Sequence, residues 1–195
     1  MRLAPASMSI GPFLRRPSGT AGTESTGRGE VLLLAVRPWF IWGSLLAALL
    51  VDFLPLGRLP WLPDILALVL VFWAVHQPRR VGIGAGFALG LLVDVQQGAL
   101  LGQHALAYTL LAFFAVALHR RLQWFSLPQQ ALQVLPLFVS AQVLQFVVRM
   151  MASAAFPGWA FFLAPVLQAV LWPVVSWLLL APQRRAPDTD QNRPL

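Results

Sequence analysis

The chain has 195 residues, of which 58% are hydrophobic and 11% charged, with a mean hydropathy of +0.70; soluble domains use roughly 45–50% apolar and 25% charged residues, so a water-soluble globule is excluded. It carries a formal net charge of +7, three histidines and no cysteine, which excludes a disulfide framework, a thiolate nucleophile and a zinc–thiolate site. The basic residues are all arginines, most of them in short breaks between apolar runs, so the charge reads as membrane topology and not as nucleic-acid binding.

Taken in chain order, residues 1–36 are rich in Pro, Gly, Ser, Thr and Arg and show no hydrophobic period, which predicts a disordered cytoplasmic tail. The tail lacks the layout of a signal peptide, and Met8 is a second candidate start. Residues 37–182 are expected to form an all-α integral membrane bundle of about six transmembrane helices. Their approximate spans are 38–56, 62–76, 81–97, 102–118, 128–153 and 158–181. Breaks fall at Pro55, from Gly57 to Pro63, from Gln77 to Arg80, around Gly98, from His119 to Pro128 and from Phe156 to Gly158. Pro136, Pro165 and Pro173 lie within spans and should each kink or start a helix. Residues 183–195 predict a second disordered cytoplasmic tail.

With both termini inside, twelve arginines, among them Arg79, Arg80, Arg120 and Arg121, fall on the inner side and only Arg58 on the outer. Arg149 remains within the fifth span. This bias fixes the expected orientation. Trp39, Trp42, Trp73, Trp124 and Trp177 are expected near the inner boundary and Trp61 and Trp159 near the outer one, with Trp172 deeper.

Gly82, Gly86 and Gly90 repeat at four-residue spacing, a small-xxx-small pattern that lets helices approach closely. Packing inside the bundle is the simpler reading, and a seam between two copies is the alternative. The same helix carries Asp94. The orientation brings Asp52, Asp64, Asp94, His104 and Arg149 to the outer third of the membrane, with Gln142, Gln145, Arg149 and Ser153 on one face of the fifth helix. Asp64, Asp94, His104 and Arg149 are therefore expected to form a polar cluster in which Arg149 pairs with Asp94 or Asp64. The plainer reading is that these groups snorkel to water at the interface, and for Asp94 that it ends its helix. Ser44 is the one candidate nucleophile, but it is expected near the inner side and His104 near the outer, out of hydrogen-bond reach. His76 and His119 read as interface markers. Neither a catalytic site, a cofactor site nor a metal site is expected, and Gly82 to Gly86 has no dinucleotide-fingerprint spacing.

Several runs together carry a family likeness: Leu62-Pro63-Asp64, Phe72-Trp73, Pro78-Arg79-Arg80-Val81, Gly84, Gly86-Phe87, Gly90, Asp94, Gly98, Leu101-Gly102, Gln129-Gln130-Ala131-Leu132 and Leu171-Trp172-Pro173. With these the chain resembles the MreD family of rod shape-determining proteins over about residues 38–181. The resemblance implies a small, multi-pass protein of the bacterial inner membrane with no known catalysis. It implies action with MreC, and through it with MreB, RodA and a class B penicillin-binding protein, in the machinery that builds side-wall peptidoglycan. It also implies a fold similar to the substrate-binding component of energy-coupling factor transporters, and from that comes the alternative of a small-molecule or lipid-binding protein. Lipid- or partner-facing grooves are expected beside the helix from Gly82 to Asp94.

Overall fold

A computed structural model describes residues 37–54, 61–152 and 156–183. The two expected tails lie outside these residues, except for Gln183 in a terminal 3-10 turn; Arg58 and Ser153 lie outside them too. Six α-helices follow one another: α1 (Pro38–Phe53), α2 (Ile65–His76), α3 (Ile83–Gln97), α4 (Gln103–Gln123), α5 (Leu127–Met151) and α6 (Ala164–Leu180), the last entered through a 3-10 turn over Trp159–Leu163. No strand occurs among the described residues. Helices α4 and α5, and the 3-10 turn with α6, are long and apolar enough to cross a membrane. The first three are apolar but shorter, and α2 has only 12 residues, about 18 Å at 1.5 Å per residue.

Local sequence sets most of the boundaries. Pro38 opens α1 at its first position, where the missing N–H costs nothing. Ser126 and Gln129 form a capping box that starts α5, each satisfying a backbone N–H at the helix start. Gly98 ends α3 in the left-handed region at φ 60°, a conformation nearly free for glycine and costly for other residues. Helix α4 runs to Gln123, past the expected stop near residue 118, because no glycine or proline interrupts it before that box. Pro136 and Pro173 sit inside α5 and α6, and each helix continues through its proline; Pro165 instead falls in the first turn of α6.

Helix α2 is the axis of the bundle. Every residue from Leu66 to Val75 is buried, and α1, α4 and α6 pack around it. A helix apolar on all sides has no face for water. In lipid, apolar burial alone distinguishes little, since acyl chains are as apolar as leucine; close packing and interhelical hydrogen bonds carry association. Trp73 shows both. Its ring is fully buried against Phe72, at 5.1 Å between centroids, and against Phe40, at 5.9 Å, while its Nε1–H donates to Ser44 Oγ at 2.7 Å. Trp73 is thus a core residue and not the interfacial anchor its sequence position suggests. Trp172 is likewise fully buried, whereas Trp39, Trp124 and Trp159 are almost fully exposed, as anchors at helix ends require.

Helices α3 and α4 form an antiparallel hairpin with the most extensive packing in the molecule. A Cβ at Gly86 would stand 2.6 Å from the Tyr108 carbonyl oxygen, and one at Gly90 would stand 2.5 Å from both Ala105 Cα and the His104 carbonyl oxygen. These glycines are the contact itself. Gly82 departs from the expected stripe: it precedes α3 as its N-cap in extended conformation, and a Cβ there would meet only the Pro78 carbonyl oxygen at 3.7 Å. Because α4 of the same chain covers Gly86 and Gly90, this face is not available as a seam between copies.

Candidate functional site

Hydrogen bonds between successive helices define two ends. At one, Gln123 Nε2 donates to the Val75 carbonyl at 2.9 Å, joining the last turns of α4 and α2. The exposed Arg37, Arg79, Arg80, Arg120 and Arg121 belong to this end. At the other end lie Asp52, Asp64 and Asp94, all the carboxylates among the described residues, together with Arg149.

Each of those carboxylates serves a helix start. Asp64 is the N-cap of α2 and accepts from the Ala67 N–H at 2.7 Å through Oδ1. Asp52, at the end of α1, accepts from the Leu66 N–H at 3.0 Å. Two of the four N–H groups that a helix start leaves unpaired are thereby satisfied, by carboxylates at the positive end of the α2 dipole. Tyr108, the single tyrosine, is fully buried on α4 and donates its O–H to Asp64 Oδ2 at 2.5 Å. Gln168 of α6 donates to the Asp64 backbone carbonyl at 3.3 Å.

Asp94 performs the same service for α4. It is fully buried. Its two oxygens accept from the N–H groups of Gly102 and His104, each at 2.8 Å, from that of Ala105 at 3.2 Å and from His104 Nδ1 at 2.9 Å. Because a carboxylate only accepts, His104 donates to it through Nδ1 and carries a proton there. Arg149 lies within ion-pair distance of neither Asp94 nor Asp64. Both carboxylates are engaged by other donors, four at Asp94 and two at Asp64, and the expected partnership gives way to capping.

The end with the carboxylates also holds a cavity of about 1130 Å³ between the helices, lined among others by Asp52, Asp64, Gln103, His104, Gln142, Gln145, Arg149 and Gln168, with Leu111 and Phe138 as apolar wall. The α5 face expected from sequence therefore faces this space with Gln142, Gln145 and Arg149. Asp94 lies behind it, in contact through His104. The roles missed by sequence reasoning are those of Asp52, Tyr108 and Gln168 around the start of α2. A signal existed for one of them: Tyr108 follows His104 by four residues on the same helix face. Ser44 is engaged on both sides, accepting from Trp73 and donating to the Ile41 carbonyl at 2.8 Å. His76 and His119 each donate Nδ1–H to a carbonyl of their own helix, and among the described residues no three His, Asp or Glu side chains converge as a metal site would need.

The description rod shape-determining protein MreD matches residues 35–181, and the chain is 31% identical over 150 residues to the rod shape-determining protein MreD of Haemophilus influenzae, covering 74% of this chain and 93% of that protein. The chain belongs to the MreD family. The match begins two residues before the first described residue and ends one residue into the terminal 3-10 turn, so it takes in the whole bundle, both capped helix starts and the cavity. Membership makes the chain a membrane protein of a shape-determining family. No solved structure matches it.

Proposed function

We propose that this chain is a non-enzymatic scaffold of the cell-elongation machinery in the bacterial inner membrane, holding MreC and through it MreB, RodA and a class B penicillin-binding protein. The observation that carries this reading is membership of the MreD family over the whole bundle. The geometry supports a non-catalytic role, because each carboxylate among the described residues is engaged at a helix start and Ser44 makes two structural hydrogen bonds. Helix α3 packs chiefly on α4 and leaves Phe87, Leu91, Leu92 and Val95 exposed, an apolar face suited to lipid or to a partner's helix. Both termini are assigned to the cytoplasm, supported by the arginines gathered at one end.

The test is co-purification of the chain with its neighbours, followed by site-specific crosslinking from α3. Crosslinks from Phe87 or Leu92 to MreC, and rounded cells on exchange of Gly90→Leu, are expected; an intact complex with normal rods in that variant would sink the reading. A second reading, binding of a small molecule or lipid, is favoured by the cavity, which Arg149 and Gln145 line without a hydrogen-bond partner among the described residues.

A further inference from the structure

The cavity is lined by polar side chains that the rest of the protein does not engage. Gln103 and Gln145 are each only 8% exposed and line it, yet among the described residues neither side-chain amide has a hydrogen-bond partner. Arg149 lines it as well and has no carboxylate within ion-pair distance. Gln103 and Gln145 are buried residues whose amides give onto this space, and Arg149 is half-buried beside them, so a ligand entering the cavity meets polar groups that no protein partner has claimed. Gln145 and Arg149 stand four residues apart on α5 and so share a face. The carboxylates nearby do not answer this need, because Asp52 and Asp64 are already engaged by backbone N–H groups and by Tyr108. What remains open to a ligand is the Arg149 guanidinium, with five N–H donors and no acceptor, and two side-chain amides, each with an NH2 donor beside its carbonyl acceptor.

We propose that this cavity binds an oxyanion, with the phosphate held by Arg149 in a charge-assisted fork and flanked by the Gln145 and Gln103 amides. The inference rests on the ligand-binding reading and not on the scaffold reading. Two sources supply this chemistry, the phosphodiester of an anionic phospholipid and free inorganic phosphate. The apolar wall at Leu111 and Phe138 suits the glycerol and first acyl carbons of the former.

The test uses the full chain, purified in mild detergent and returned to nanodiscs of phosphatidylcholine with or without phosphatidylglycerol. Native mass spectrometry then counts the lipids retained, and thermal unfolding in detergent with added inorganic phosphate forms the second arm. Wild-type chain is expected to keep one phosphatidylglycerol tightly, Arg149→Gln to lose it by about tenfold or more, and Gln145→Leu by a few-fold. Arg149→Lys keeps the charge without the fork and is expected to fall between; it serves if Arg149→Gln does not fold. Arg120→Gln, at the opposite end, should change only diffuse, salt-sensitive binding. Stabilisation by inorganic phosphate with no lipid preference would assign the site to the free anion. Retention of phosphatidylcholine alone, indifferent to Arg149, would overturn the oxyanion while keeping a ligand site. No retained ligand in either arm, or a polypeptide filling the cavity of the purified complex, would overturn both.

Discussion

Asp94 and Gly90 do opposite things at neighbouring positions, one supplying acceptors and the other absence. Asp94 receives four donors from the first turn of α4 and the loop before it. Asp94→Asn keeps one acceptor oxygen and turns the other into a donor facing donors, and Asp94→Ala removes both. Thermal or denaturant unfolding in detergent should show losses of about 2–4 kcal/mol, larger for alanine, because buried N–H groups are left unpaired. Gly90→Ala should cost about 1–3 kcal/mol through overpacking, since the atoms it meets are backbone and cannot step aside. Gly84→Ala on the same helix meets nothing within 4 Å and should be neutral or stabilising by up to about 1 kcal/mol. A result in which Gly84 and Gly90 respond alike would refute the packing assigned to this hairpin.

At the scale of elements, α2 and α4 share one device: a helix start inside the bundle, whose N–H groups a carboxylate from another segment satisfies. For α4 the donor of the carboxylate is α3, and for α2 it is α1, helped by the N-cap Asp64. Unsatisfied backbone groups in hydrocarbon cost several kcal/mol each, so these caps are conditions for the helices to begin where they do. Tyr108 ties the two starts together by donating to Asp64 from α4. Tyr108→Phe should destabilise by about 1–2 kcal/mol, the cost of a lost buried hydrogen bond, and should loosen exchange protection at the start of α2 more than at the start of α4. Equal loosening at both starts would refute a hydroxyl whose hydrogen bond is made to the start of α2.

For the whole molecule, the separation of arginines from carboxylates makes a topological statement that the absence of cysteine renders easy to test. Single exchanges Arg79→Cys and Arg120→Cys should be labelled by impermeant thiol reagents only from the cytoplasmic face, and Gln97→Cys only from the other; one reversed pattern would invert the orientation. Much of this arrangement was legible in the sequence, because period, proline and arginine placement obey rules that act locally. The breaks at Gly98 and near Pro128 and the polar face of α5 follow from such rules. The partners of Asp64 and Arg149 did not, since an aspartate near a helix start looks alike whether it faces water, an arginine or backbone N–H groups. Trp73 was misread for the same reason: its sequence position near a helix end is that of an anchor, and only the arrival of Ser44 from α1 makes it core.

Helix α2 measures about 18 Å against a hydrocarbon layer of about 30 Å, and the cavity lies over its capped start. Where that cavity is wet, the insulating thickness of the bilayer at the centre of the bundle is set by α2 and not by the surrounding lipid. A membrane potential then falls across a plug little more than half as thick as the membrane, and the local field rises by the inverse of that ratio. Arg149 sits at the mouth of that plug, so the energy of an anion beside it depends on voltage less than its depth in the lipid would suggest.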